Sequence, residues 1–132
     1  MLRRFILLFF TQLFITNSSI SMEKETTFNK KLFDKAQSEG KVVIVSSWIK
    51  YCSSCASQMK VLNKAKTEGK LFDIKFDNIE YFSFDITNKD IANLFDVKFQ
   101  TTLLVFKNNN EIYRSLGETT EDLIYEALKT SI

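Results

Sequence analysis

Apolar residues at positions 28, 32 and 36 recur every four residues, with Phe33 at their flank, and this spacing predicts an amphipathic helix over 28–39. Thr26 or Thr27 is its expected N-cap, and Gly40 is a natural stop. Val42, Val43, Ile44 and Val45 then form an unbroken β-branched run, the pattern of a strand buried on both faces. A second helix is expected over 53–67, where Met59, Leu62 and Ala65 are spaced by three and Lys64, Lys66 and Gly69 mark the C-terminal end. Residues 71–76 carry no clear period and read as loop or irregular extension. A strand over 81–86 follows, then a short helix over 88–95 with Ile91, Leu94 and Phe95 toward the core. Residues 103–106 and 111–116 read as two strands joined by Lys107, Asn108, Asn109 and Asn110. Asn tolerates the left-handed conformation better than most residues, so this is a hairpin turn without Gly. After Gly117, Thr119 or Thr120 caps a last helix over Leu123, Ile124, Ala127 and Leu128.

The predicted order is a helix, then a parallel βαβ part, a short helix, and an antiparallel ββα part. That order describes an α/β domain with a central mixed sheet flanked by helices and one extra helix at the N-terminus. A chain of 132 residues, 45% of them hydrophobic, suffices for one such domain with a sizeable core.

The first twenty-one residues follow a different pattern. Arg3 and Arg4 make a short basic start, residues 5–15 are mostly apolar, and Ser19 and Ser21 place small residues where a signal peptidase reads. The apolar stretch is interrupted by Thr11 and Gln12 and falls short of the roughly twenty residues of a membrane span. Residues 1–21 are therefore expected to be a signal peptide, with an uncleaved membrane tether as the rival, and 22–132 the domain. The expected location is the periplasm or cell envelope. Removing 1–21 takes away two arginines and no acid, bringing the formal charge from +2 to 0. A neutral domain offers no electrostatic case for nucleic acid or an anionic membrane surface.

Composition narrows the chemistry further. The absence of His excludes a Ser-His-Asp triad, a Cys-His pair and any His-ligated metal. Two Cys cannot fill a four-ligand structural zinc site within one chain, so no metal is expected. No cofactor is implied either. The remaining reactive group is the pair Cys52 and Cys55.

A Cys-x-x-Cys is weak evidence alone, but its placement here is specific. Cys52 lies just after a buried strand, at the end of the sheet where open α/β folds place their sites. It also starts a helix, where unpaired amides and the positive end of the dipole favour thiolate over thiol. Only the thiolate attacks a disulfide, so Cys52 is the expected nucleophile. Cys55, one turn further in, is near enough to close a ring and suits the resolving thiol. A purely structural staple gains stability with loop length, and four residues at a helix start make a poor one.

With these residues in view, the chain resembles the thioredoxin family over about residues 28–129. The strand of Val42 to Val45, followed by Ser46, Ser47 and Trp48 and then by Cys52, Ser53, Ser54 and Cys55, is similar to the family's core strand, Trp and active site. The segment 97–108 is similar to the family's approach through its cis-Pro loop into a strand, and 111–117 to its hairpin and terminal Gly. The resemblance implies a thioredoxin fold and thiol–disulfide exchange with protein substrates docked in an apolar groove beside Cys52. On this reading Trp48 and Tyr51 line the docking surface, with packing as the equal alternative for Trp48.

Four departures from the family pattern stand out. Ser53 and Ser54 replace the dipeptides that tune the potential toward reduction or oxidation. Ser46 stands where many relatives bury an Asp, and the Lys facing it is replaced near Tyr81. Proton acceptance from Cys55 is then expected to fall to water, or to a hydroxyl such as Ser46 or Ser54. Thr101 occupies the cis-Pro position, and a cis bond before a non-Pro residue costs about 3–4 kcal/mol. The Gln100–Thr101 bond is accordingly expected to be trans, in a loop reshaped around substrate-contacting Gln100 and Thr101. The chain lacks room for the helical insertion of dedicated oxidants, which favours a reductase or isomerase role. The expected partners are protein thiols or disulfides and a membrane redox partner, with the protein acting as a monomer. The alternative is a binding or chaperone-like module with a weak redox site.

Overall fold

The computed structural model describes residues 26–132. The expected signal peptide or tether at 1–21 lies outside them. The β-branched run becomes strand β1 (Val42–Trp48), the central element of the sheet. Its side chains alternate between two separate cores. Val42 and Ile44 face one, Val43 and Val45 face the other, and all four are buried. This two-sided burial is what the uninterrupted apolar run demands.

Helix α1 (Lys30–Ser38) precedes β1, and helix α2 (Ser53–Glu68) follows it. A tiny hairpin of strands β2 (Lys70–Leu71) and β3 (Ile74–Lys75) leads into β4 (Ile79–Asp85). Helix α3 (Lys89–Leu94), strands β5 (Thr102–Lys107) and β6 (Asn110–Leu116), and helix α4 (Glu121–Ser131) complete the order. The main sheet runs β4-β1-β5-β6, with β1 parallel to β4 and antiparallel to β5, and β5 antiparallel to β6. Helices α2 and α4 cover one face through Leu62, Ala65, Ile124 and Leu128. The other face is covered by α1 and α3, with Phe28, Phe33, Phe82, Phe84, Phe95 and Phe106 packed ring against ring. The α/β architecture expected from the pattern is the one observed.

Several local expectations need correction. Helix α1 is capped by Asn29, whose side chain accepts the Leu32 N–H at 3.0 Å, and not by Thr26 or Thr27. Those threonines lie along β4 instead, where Thr27 Oγ1 accepts from Ser83 N and Thr26 Oγ1 from Asp85 N. The face of α1 set against the sheet carries Phe33, Ala36 and Gln37, and Leu32 is exposed. Leu94 and Leu123 are likewise exposed, because Ala92 with Phe95, and Ile124 with Ala127 and Leu128, already span the narrow faces of their helices. Phe72 and Phe99 are exposed as well. The β2–β3 hairpin occupies part of the stretch expected to be irregular, since two-residue strands are too short to show a period.

The Asn turn behaves as expected. Asn108 and Asn109 sit at φ 52° and 63° between paired Lys107 and Asn110. Positive φ at both central residues is the geometry whose twist matches a two-residue hairpin. Asn109 also donates its N–H to Gln37 Oε1 at 2.9 Å, tying the hairpin to α1 across the fold. Gly69 ends α2 in the left-handed conformation at φ 77°, as its position suggested.

Candidate functional site

The C-terminal end of β1 carries the cysteine pair into a short loop. Tyr51 precedes Cys52 with φ 65° and a side chain 91% exposed, and the Lys50 ammonium lies 5.1 Å from its ring centroid. Cys52 is itself the N-cap of α2: its extended backbone leads into the helix, and its sulfur accepts the Cys55 N–H at 3.2 Å. A capping acceptor satisfies one of the helix's free amides. When the acceptor carries negative charge, the aligned dipoles of the helix add to that stabilisation. The pair is joined as a disulfide with Cα atoms 5.3 Å apart. Cys52 is half-buried and Cys55 fully buried, the asymmetry expected of an attacking and a resolving thiol. Ser53 and Ser54 are exposed on the first turn of α2, and Trp48 is half-buried at the end of β1.

Facing the pair is the segment that enters β5. No cis peptide bond occurs among the described residues, so the Gln100–Thr101 bond is trans, as expected. Thr101 takes φ 62° instead. For a β-branched residue the left-handed region costs of order 1–2 kcal/mol, so the surroundings must hold it there. They do so through a dense set of bonds. The Thr101 N–H donates to Ser47 O at 2.8 Å, and Thr101 O accepts from Gly117 N at 3.1 Å. Ser47 Oγ accepts from Thr102 N at 3.1 Å and donates to Phe99 O at 2.8 Å. From α2, the buried Gln58 donates through Nε2 to Thr101 O at 3.4 Å and Glu118 O at 3.0 Å.

The outcome is that the Thr101 hydroxyl sits over the sulfurs. Thr101 Oγ1 lies 3.1 Å from Cys55 Sγ, 3.6 Å from Cys52 Sγ and 3.1 Å from Ser54 Oγ, and Ser54 Oγ is 3.3 Å from Cys52 Sγ. Gln100, the other residue expected in this loop, is exposed. The loop also borders a groove of about 410 Å³ lined by Phe99, Thr102, Arg114 and Leu116 among others, with Phe99 and Leu116 more than half exposed.

Ser46 and Tyr81 form a second polar pair, in the core. Their hydroxyls are 2.6 Å apart and both residues are buried. Burial pushes the Tyr81 phenol well above its usual range, so it stays neutral. The expectation that Ser46 could take the Cys55 proton needs revision, because its hydroxyl is committed to Tyr81 and the hydroxyl on the Cys55 sulfur is that of Thr101. Gln58 and Ser47 carried no signal in the chain. Their roles arise from contacts with residues 43 to 60 positions away. Among the described residues, no group of three or more His, Cys, Asp or Glu side chains could hold a metal ion.

Comparison with known proteins agrees with this geometry. Residues 19–130 match the family described as Thioredoxin. Thioredoxin H-type of Fagopyrum esculentum is 24% identical over 100 residues, covering 75% of this chain and 79% of that protein. Thioredoxin-1 of Saccharomyces cerevisiae is 26% identical over 86 residues, covering 64% and 77%. Among solved structures, Trxlp from Edwardsiella tarda EIB202 superposes with a TM-score of 0.64 at 26% identity, covering 75% of this chain and 92% of that one. The thioredoxin of Fasciola hepatica, at 18% identity and a TM-score of 0.63, covers 77% and 89% and shares the fold. The chain belongs to the thioredoxin family, and with the Cys52–Cys55 pair it is a thiol–disulfide oxidoreductase.

Proposed function

We propose that this protein is exported to the cell envelope and there exchanges disulfides with protein substrates, on the reductase or isomerase side. The observation that carries the reading is Cys52 as sulfur N-cap of α2, half-exposed, with Cys55 buried one turn behind it. In the reduced protein the Cys52 thiolate attacks a substrate disulfide. A bond forms between Cys52 Sγ and one substrate sulfur, and the other substrate sulfur leaves as thiolate. Cys55 then gives up its proton and attacks Cys52 Sγ, releasing the second substrate thiolate and closing the Cys52–Cys55 disulfide. The substrate disulfide has gained two electrons and the protein dithiol has lost them.

Exposed Tyr51, Phe99 and Leu116, with Gln100 between the loop and solvent, offer apolar and backbone contacts to an extended substrate segment beside Cys52. Trp48 and the Ser53–Ser54 dipeptide complete the surroundings we assign to tuning and docking. The export reading rests on the basic, apolar and small-residue pattern of 1–21, and an exported reductant requires a membrane donor of electrons. The domain acts as a monomer in this scheme.

Insulin reduction by the purified protein against Cys52→Ser tests the activity. Wild type no faster than the variant with any electron donor would sink the enzyme reading in favour of a binding module. The couple's reduction potential sets the direction: values near about −270 mV support a reductase and values near about −120 mV an oxidant. N-terminal sequencing of the exported protein should begin near Met22, and a start at Met1 would favour the tether.

A further inference from the structure

Cys55 is fully buried, yet it must release a proton each time it resolves a mixed disulfide. A buried thiol without a route to water keeps its proton, and only the thiolate is nucleophilic. The groups around it define a route. Thr101 Oγ1 is 3.1 Å from Cys55 Sγ, and Ser54 Oγ is 3.1 Å from Thr101 Oγ1. Thr101 is 5% exposed, whereas Ser54 stands in solvent on the first turn of α2. Each hydroxyl can accept one hydrogen bond while donating another, which is the requirement for handing a proton along a chain. The buried hydroxyls of Ser46 and Tyr81 are committed to each other at 2.6 Å.

We propose that Thr101 and Ser54 form a two-hydroxyl proton relay from Cys55 to solvent, resting on the disulfide-exchange reading above. In resolution the Cys55 proton passes to Thr101 Oγ1 as the Thr101 proton passes to Ser54 Oγ, and the Ser54 proton passes to water. Cys55 Sγ, left as thiolate, bonds to Cys52 Sγ, and the substrate sulfur leaves with the electron pair of the broken bond. In the reverse direction the same chain returns a proton to Cys55. The loop geometry serves this use. Ser47, Gln58 and Gly117 hold Thr101 at positive φ, and in that conformation its hydroxyl reaches both the sulfur and Ser54. Gln58 and Ser47 are then positioning residues for the relay.

The test follows the reduced chain reacting with the aromatic disulfide reagent DTNB in stopped flow. The first coloured thiolate reports attack by Cys52, and the second reports resolution by Cys55. Both Thr101→Val and Ser54→Ala should lower the ratio of second to first rate by about a hundredfold or more at neutral pH, the low end for a positioned proton-transfer group. In both, the second rate should climb steeply with pH as hydroxide takes over, while wild type changes little. Thr101→Ser, which restores the hydroxyl, should recover the wild-type ratio and profile. If Thr101→Val does not fold, Ser54→Ala decides alone, because an exposed side chain on the first turn is not needed for folding. Wild-type ratios and profiles in the two variants would overturn the relay. So would a loss confined to Thr101→Val, or failure of Thr101→Ser to rescue. If wild type itself releases no second thiolate, the exchange reading fails and not merely the relay.

Discussion

Replacing Tyr81 by Phe removes one buried oxygen from the core and leaves Ser46 behind. In wild type the two hydroxyls meet at 2.6 Å, with Tyr81 2% and Ser46 0% exposed. Stranding a buried hydroxyl costs about 1–3 kcal/mol. At about 4–8 °C per kcal/mol for a domain of this size, Tm should fall by several degrees or more. Ser46→Ala alone should cost a similar amount, because it strands the Tyr81 phenol. The double variant removes both polar atoms, so it should lose less than the two single losses added together, by about 1 kcal/mol or more. The pH dependence supplies a second, independent reading. Burial raises the folded-state Tyr81 phenol above its unfolded value, so the stability it contributes is fully present below about pH 10. Above that pH the unfolded chain ionises first, and stability falls by up to about 1.4 kcal/mol per pH unit from this group alone. Tyr81→Phe lacks that term, so the gap between wild type and variant should narrow as pH rises beyond 10. Urea unfolding of the oxidised protein at a series of pH values measures both quantities. Additive single losses together with parallel alkaline slopes would refute the assignment of Tyr81 and Ser46 as a coupled buried pair.

Other outcomes follow from the same geometry. Cys55→Ala should leave Cys52 able to attack but not to be released, so mixed disulfides with substrate proteins should accumulate on non-reducing gels and vanish with added dithiothreitol. Gln58→Leu keeps the side-chain volume but removes the donor to Thr101 O, which keeps Gly117 N, and to Glu118 O, and should cost about 0.5–1.5 kcal/mol in urea unfolding. Arg114 donates to Phe95 O and Asp96 O, where α3 ends without a glycine, so Arg114→Ala should cost about 1 kcal/mol or more and speed hydrogen exchange in α3 first. Asn109→Gly, at φ 63° in the hairpin turn, should raise Tm by a few degrees, since Gly adopts that conformation without a Cβ clash; an unchanged or lowered Tm would count against the turn geometry.

The elements that were legible in the chain are those whose causes are local. Val42 to Val45 could only be a strand buried on both sides, and the Asn108–Asn109 turn required residues tolerant of positive φ. Cys52 and Cys55 followed from a helix start after that strand, because dipole, free amides and spacing all act within one turn. Where a local cue had two possible uses, the chain could not choose between them. Thr26 and Thr27 are good caps in isolation, but β4 offered its edge and they took it, leaving Asn29 to cap α1. Leu32, Leu94 and Leu123 fit a helical period, yet which flank of a stripe is buried depends on how the helix is set against the sheet.

Of the site, the chain by itself determined the sulfur chemistry: two thiols at the right spacing on a helix N-terminus, no His to assist them, and Thr where the family turns its loop with Pro. The tertiary structure decided what surrounds the sulfurs. Thr101 is 46 residues from Cys55 and Gln58 is 60 from Glu118, separations at which periodicity carries no information. A hydroxyl in a sequence can face solvent, core or a reacting atom with equal ease. Only the fold, by pinning Thr101 at positive φ between Ser47, Gln58 and Gly117, sets that hydroxyl on the buried Cys55 sulfur and closes Ser46 onto Tyr81.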